Sequence, residues 1–216
     1  MVIGDVLVLC AAGMLVTAYL MVGQKALFTA IRLFGAQSLL LATVAAAIAS
    51  TEGQHELFVT AALTIVLKTI LIPWFLMRVI DRIGIHWEIE PFLNVPASLL
   101  VCVGLTVVGY RVSTGFPEGT HGVSHHLIGV ALSMLLIGLF LMVTRKKAIT
   151  QILALLTIEN AVFLVAVGVT EGMPLVVELG ISFDVILAVV ILGVLVHRIV
   201  DRFESMDISR LSRLKG

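Results

Sequence analysis

Glu159 stands deep in the apolar run that follows Arg145-Lys146-Lys147. At about 1.5 Å of rise per residue it lies roughly 18 Å from Lys147, near the middle of a hydrocarbon layer about 30 Å thick. A carboxylate at that depth costs on the order of a few kcal/mol or more, so it must face a protein interior or a watered cavity, where it is a functional candidate by default. The structural alternative is a glutamate hydrogen-bonded to a neighbouring helix. Asp184, roughly 21 Å before Arg198 along the last apolar run, falls at a similar depth. Glu178, in the same run, lies about one turn inside its outer boundary, within reach of interfacial water. Two acids in one apolar environment resist being charged together, which suits groups that take up and release protons. Lys68 is a greater oddity, because a lysine within a membrane must be paired or give up its charge. Its structural alternative is a fixed ion pair with an acid on this or another subunit. Thr157, Asn160 and Ser182 could extend a hydrogen-bonded path, although small polar residues are also common packing groups between membrane helices.

The elements that must position these residues are membrane helices. Hydrophobic residues make up 60% and charged residues 13% of the 216, and mean hydropathy is +1.14, which defines an all-α, polytopic membrane protein and excludes a soluble domain. Apolar runs of spanning length fall at about 4–23, 27–50, 57–80, 92–113, 122–144, 148–169 and 173–200, giving seven transmembrane helices. The first run has no basic stretch before it and is read as a retained helix, not a secretory signal. Lys25, Arg78 with Arg82, the Arg145-Lys146-Lys147 run, and Arg198, Arg202, Arg210, Arg213 and Lys215 occupy alternate connections or the tail. The intervening loops at 50–56, 114–122 and 170–174 contain no Lys or Arg. This alternation predicts a multi-pass protein of the cell membrane with its N-terminus outside and its C-terminus cytoplasmic. Arg111 is discordant and can snorkel from the outer end of the fourth helix.

A spacing of about 120 residues recurs along the chain. Met21-Val22 returns as Met142-Val143, Thr51-Glu52-Gly53 as Thr170-Glu171-Gly172, and Val79-Ile80-Asp81-Arg82 as Ile199-Val200-Asp201-Arg202. These matches divide the chain into a first three-helix repeat at 1–90, a linking transmembrane helix at 91–114, and a second three-helix repeat with a cytoplasmic tail at 115–216. A three-helix unit reverses side, so one extra crossing makes the two copies parallel, as in other transport-related membrane proteins. The register sets Lys68 opposite Leu187 or Ala188, within about one turn of Asp184. It sets Gln37 and Ser38 near Glu159.

Other constellations carry less. His121, His125 and His126 cluster in an outer loop, with His121 and His125 at i,i+4 spacing, but only Glu118 lies nearby, so a solvated or partner-packed loop is favoured over a metal site. Trp87, among His86, Glu88 and Glu90, reads as an interfacial anchor. Cys10 and Cys102 sit in apolar runs as small core residues. There is no Gly-rich phosphate loop, nucleophile elbow or cysteine ligand set for nickel or iron–sulfur centres, so no cofactor, no metal and no nucleic acid is expected on this chain. Any oxidoreductase catalysis belongs to another chain. The tail at 207–216 is cationic and amphipathic, suited to the membrane surface or a soluble partner.

The last three helices resemble the three-helix K-type subunit of proton-pumping NADH dehydrogenase (complex I). The residues that carry the resemblance are Arg145-Lys146-Lys147, Glu159-Asn160, Thr170-Glu171-Gly172, Asp184, and Met206-Asp207-Ile208 through Leu214-Lys215-Gly216. The second acid of that family would fall nearer residues 186–188, so Asp184 is a one-turn substitute. Across all seven helices, with Lys68 and a K-like C-terminal unit, the chain is similar to component E of the hydrogenase-4 and formate hydrogenlyase type of membrane-bound hydrogenase. That resemblance implies two parallel K-like three-helix repeats joined by a linking helix. It also implies a non-catalytic subunit of the membrane arm, partnered by antiporter-like and complex I-like membrane subunits and, through them, by a [NiFe] hydrogenase and iron–sulfur module. Glu159, Asp184, Lys68 and Glu178 would then contribute to a lateral proton path. Two alternatives remain: a subunit of a multi-subunit Na⁺/H⁺ antiporter, and a structural membrane scaffold with fixed ion pairs.

Overall fold

The computed structural model describes residues 2–52, 55–83, 93–115, 124–170 and Gly180. The chain divides into two compact units, Met1–Gly180 and Ile181–Gly216, and the second lies wholly outside the described residues. The described part is helical, with no β-strand. Without water in the bilayer core every backbone polar group must be satisfied within its own segment, which an apolar chain achieves by helix formation.

Helix α1 spans Val2–Gly23 and α2 Leu27–Glu52, joined by a short connection at Lys25. A single rod follows, made of α3 (His55–Thr64), a π-helical segment (Ile65–Leu71) and α4 (Ile72–Ile83). After it come α5 (Val95–Ser113), α6 (Ser124–Thr144) and α7 (Ala148–Thr170). Six of these segments are long and apolar enough to cross a membrane, namely Ile3–Gly23, Leu27–Ser50, Leu57–Arg78, Val95–Ser113, His125–Thr144 and Ile149–Ala166. The expected seventh span, at 173–200, lies outside the described residues apart from Gly180. Where Pro96 follows the extended backbone of Asn94, α5 begins three residues later than the apolar run, because proline suits a first helical turn.

In packing, α6 lies between α5 and α7, α1 meets α2, α5 and α6, and α2 also meets α7 and the α3–α4 rod. Close approach relies on glycine. A methyl group at Gly138 on α6 would stand 2.6 Å from Ile158 Cγ1 of α7, and one at Gly109 on α5 would stand 2.7 Å from the backbone nitrogen of Ser133 on α6. Small residues at such crossings let backbones approach where burial from lipid supplies little driving force. The outer faces of α5 and of the α3–α4 rod carry exposed Leu100, Val103, Val107, Val59, Val66 and Ile70, as expected of helices that border lipid or other apolar surface.

Arg145 connects distant parts of the bundle. It is only 5% exposed, and its Nη2 donates to the carbonyl of Val22 at 2.5 Å. The ends of α1 and α6 that carry Lys25 and the basic loop therefore lie at the same end of the bundle. Arg32, in the second turn of α2, is exposed and adds to the positive charge near Lys25.

A buried Lys68–Glu159 site

Lys68 sits at the middle of the α3–α4 rod, inside its π-helical turn. The local reason for that turn is Pro73, which has no N–H to offer the carbonyl of Thr69 and whose ring would collide with it in a regular α-helix. Widening to π geometry relieves the conflict: the backbone N–H of Ile72 bonds the carbonyl of Leu67, five residues back. Gly35 of α2 faces this stretch, with Thr69 O and Pro73 Cγ each 3.5 Å from the place its Cβ would occupy. The π turn thus sets the direction in which Lys68 leaves the rod, and α2 packs beside it.

Glu159 and Asn160 lie at the middle of α7, and Gln37 and Ser38 at the middle of α2. Lys68 Nζ stands 3.0 Å from Glu159 Oε1, with the two side chains 2% and 5% exposed. The ammonium also donates to Asn160 Oδ1 at 3.3 Å. Asn160 Nδ2 in turn donates to Gln37 Oε1 and to Ser38 Oγ, both at 3.2 Å. Gln37 Nε2 donates to the carbonyl of Met14 on α1 at 3.3 Å. A buried polar layer therefore runs from α1 through α2 and α7 to the π turn, at mid-helix in every case.

The electrostatics of this layer are uneven. Neither oxygen of Glu159 accepts a hydrogen bond of regular geometry from a described residue, and its close partner among them is the Lys68 ammonium, an ion pair at 3.0 Å. Among the described residues, a buried carboxylate held in its charged form chiefly by one ammonium is poised differently from one ringed by donors, because the ammonium is then the main group opposing its neutralisation. Chemically, the arrangement can bind and release a proton at Glu159 while a fixed cation stays nearby.

Lys68 and Glu159, separately expected to be functional, are brought together here, and their contact is also the fixed-pair arrangement that the structural alternative requires. Asp184, Glu178 and Ser182 lie outside the described residues, as do His121, Glu118, the segment around Trp87 and the cationic tail. Thr157 does not join the layer among the described residues; its hydroxyl donates to Leu153 O at 2.8 Å within α7 and approaches Met21 Sδ at 3.9 Å. Asn160 carries more than its sequence signal implied. His125 Nδ1 lies 3.1 Å from Ser113 O, and His126 makes an edge-on contact with Tyr110. Among the described residues no group of three His, Cys, Asp or Glu side chains is placed to hold a metal, and Cys10 and Cys102 are buried free thiols.

Helices of this length and composition around a charged mid-helix layer define a multi-pass membrane protein. The chain belongs to the same family as "Uncharacterized protein Rv0085" of Mycobacterium tuberculosis, with which it is 32% identical over 206 residues, covering 95% of this chain and 94% of the relative. It is also similar along its whole length to hydrogenase-4 component E of Escherichia coli K12 and of Shigella flexneri, at 25% identity over 223 residues and 99% of each chain. No family model matches the chain, and no solved structure matches it.

Proposed function

We propose that this chain is a non-catalytic membrane-arm subunit of a hydrogenase-type complex and that Lys68 and Glu159 are part of a lateral proton path. The observation that carries the reading is the buried ion pair whose carboxylate accepts no hydrogen bond of regular geometry from a described residue. The full-length similarity to hydrogenase-4 component E supports the setting. In operation, catalytic events elsewhere in the complex would shift the balance of buried charge, and proton uptake at Glu159 would weaken its hold on Lys68. Charges separated by low dielectric interact strongly, so that change propagates to the next buried charge. Asp184 and Glu178 are the further acids of this proposed path, and the N-outside, C-cytoplasmic orientation follows from the loop charges.

The two-repeat architecture belongs to the same proposal. It is supported by the packing of α1 on α6 and of α2 on α7, each the counterpart of the other in the proposed repeats. It is supported too by the contacts Gln37–Asn160 and Val22–Arg145, each 123 residues apart, close to the sequence repeat.

The test is Glu159→Gln in the assembled complex reconstituted in vesicles. Proton translocation per turnover should fall at least tenfold while assembly is kept, and unchanged translocation would end the relay reading. The scaffold reading is favoured by the ion pair itself. It predicts instead a complex that assembles poorly and has no specific translocation defect.

A further inference from the structure

The relay reading leaves open what holds the Lys68 ammonium once Glu159 has taken up a proton. Resting on that reading, we propose that Gln37 and Asn160 form a directional amide chain that keeps an acceptor turned towards Lys68. Asn160 is then a second holding point for the ammonium, and Gln37 and Asn160 are positioning residues.

The direction follows from the two ends of the chain. A backbone carbonyl can only accept and an ammonium can only donate, whereas a side-chain amide has one end of each kind. The carbonyl of Met14 is met by Gln37 Nε2 at 3.3 Å and by the Thr17 hydroxyl at 2.7 Å. Gln37 is therefore set with its oxygen towards Asn160. That oxygen accepts from Asn160 Nδ2, which Ser38 Oγ also accepts. Asn160 is in turn set with its oxygen towards Lys68, which donates to it at 3.3 Å. Turning either amide around would put N–H against N–H or oxygen against oxygen in a buried layer, and each such mismatch carries a desolvation cost. The chain thus has a single polarity, and both ends demand the same one.

Proton uptake by Glu159 forms one O–H bond as a donor of the proposed path, a water or another acid, gives up the same proton, so one negative charge leaves Glu159 for that donor with no redox step. The attraction of Glu159 for Lys68 then falls, but Asn160 Oδ1 stays where Gln37 and Ser38 hold it. The ammonium has a neutral acceptor at the same depth and need not leave the protein interior. Without the chain, only the ammonium itself would set the orientation of Asn160, and its oxygen would no longer be fixed in place from the far side.

Nuclear magnetic resonance of the assembled complex in lipid, with ¹⁵N in lysine side chains and ¹³C,¹⁵N in Asn, Gln and Met of this chain, tests the proposal. In the unsubstituted chain, Gln37 Nε2 should contact the Met14 carbonyl carbon, and Asn160 Nδ2 should contact Gln37 Cδ; the reverse orientation of either amide overturns the proposal and needs no variant. The contact of Lys68 Nζ with Asn160 Cγ should persist in Glu159→Gln and in Ser38→Ala. It should weaken severalfold when Gln37→Leu is added to Glu159→Gln. Loss of the contact in Glu159→Gln alone, or its survival after Gln37→Leu, refutes the holding point. These outcomes are separate from the relay test, since translocation that survives Glu159→Gln would end the relay reading whatever the amide contacts show.

Discussion

Removing Lys68 alone would leave the Glu159 carboxylate buried with no hydrogen bond of regular geometry from a described residue to replace the ion pair. Breaking one side of such a pair costs about 3–5 kcal/mol, whereas replacing both sides by apolar groups of similar volume is often neutral or stabilising. Lys68→Met should therefore lower the thermal unfolding temperature in detergent clearly, and Lys68→Met with Glu159→Met should restore most of the loss. The restored double variant also separates the readings: a proton relay predicts a stable but non-translocating complex, and a scaffold predicts a stable and active one. At this scale the sequence was partly legible. Glu159 and Lys68 announce themselves because ionisable residues in spanning runs are expensive. Asn160 and Gln37 do not, because amides are ordinary packing groups between membrane helices and only their three-dimensional pairing gives them direction.

Among the elements, the α6–α7 crossing bears directly on the site, since Glu159 follows directly on Ile158, the residue that faces Gly138. A Cβ at Gly138 would meet Ile158 Cγ1 at 2.6 Å, Ala154 O at 3.2 Å and Ile158 N at 3.3 Å, two of them backbone atoms. At Gly13 the nearest atom is the flexible end of Leu40, at 3.0 Å. Gly138→Ala should destabilise the chain by about 1–3 kcal/mol through overpacking. Gly13→Ala should lie near neutral, because Leu40 can give way and alanine is the better helix former by up to about 1 kcal/mol. Thermal unfolding of both variants in one detergent checks the difference. Among the described residues, the six observed helical spans lie within a few residues of the apolar runs expected for them. The π turn was not, because it arises from a conflict between Pro73 and the carbonyl of Thr69 that hydrophobic periodicity does not register. Arg145 was legible only as loop charge, and its bond to the carbonyl of Val22 depends on where α1 ends in space.

For the whole molecule, the proposed function makes a statement about company. Purified in mild detergent through a tag on this chain, the complex should carry antiporter-like membrane chains together with stoichiometric nickel and iron. The same membrane chains without either metal would favour the ion-antiporter alternative. That the chain is a multi-pass membrane protein was readable in advance, because mean hydropathy and apolar runs are properties of the chain as a string. What could not be read was which of its polar groups meet.

The Arg145–Val22 bond also bears on the order in which the protein is made. A guanidinium pays heavily for leaving water unless a fixed acceptor is ready, and the acceptor here belongs to the end of the first helix. If that acceptor is what offsets burial of the guanidinium, an α1–α2 hairpin seated first would offer the later helices a ready docking point, and Arg145→Ala should slow insertion of the α6–α7 pair more than that of α1–α2.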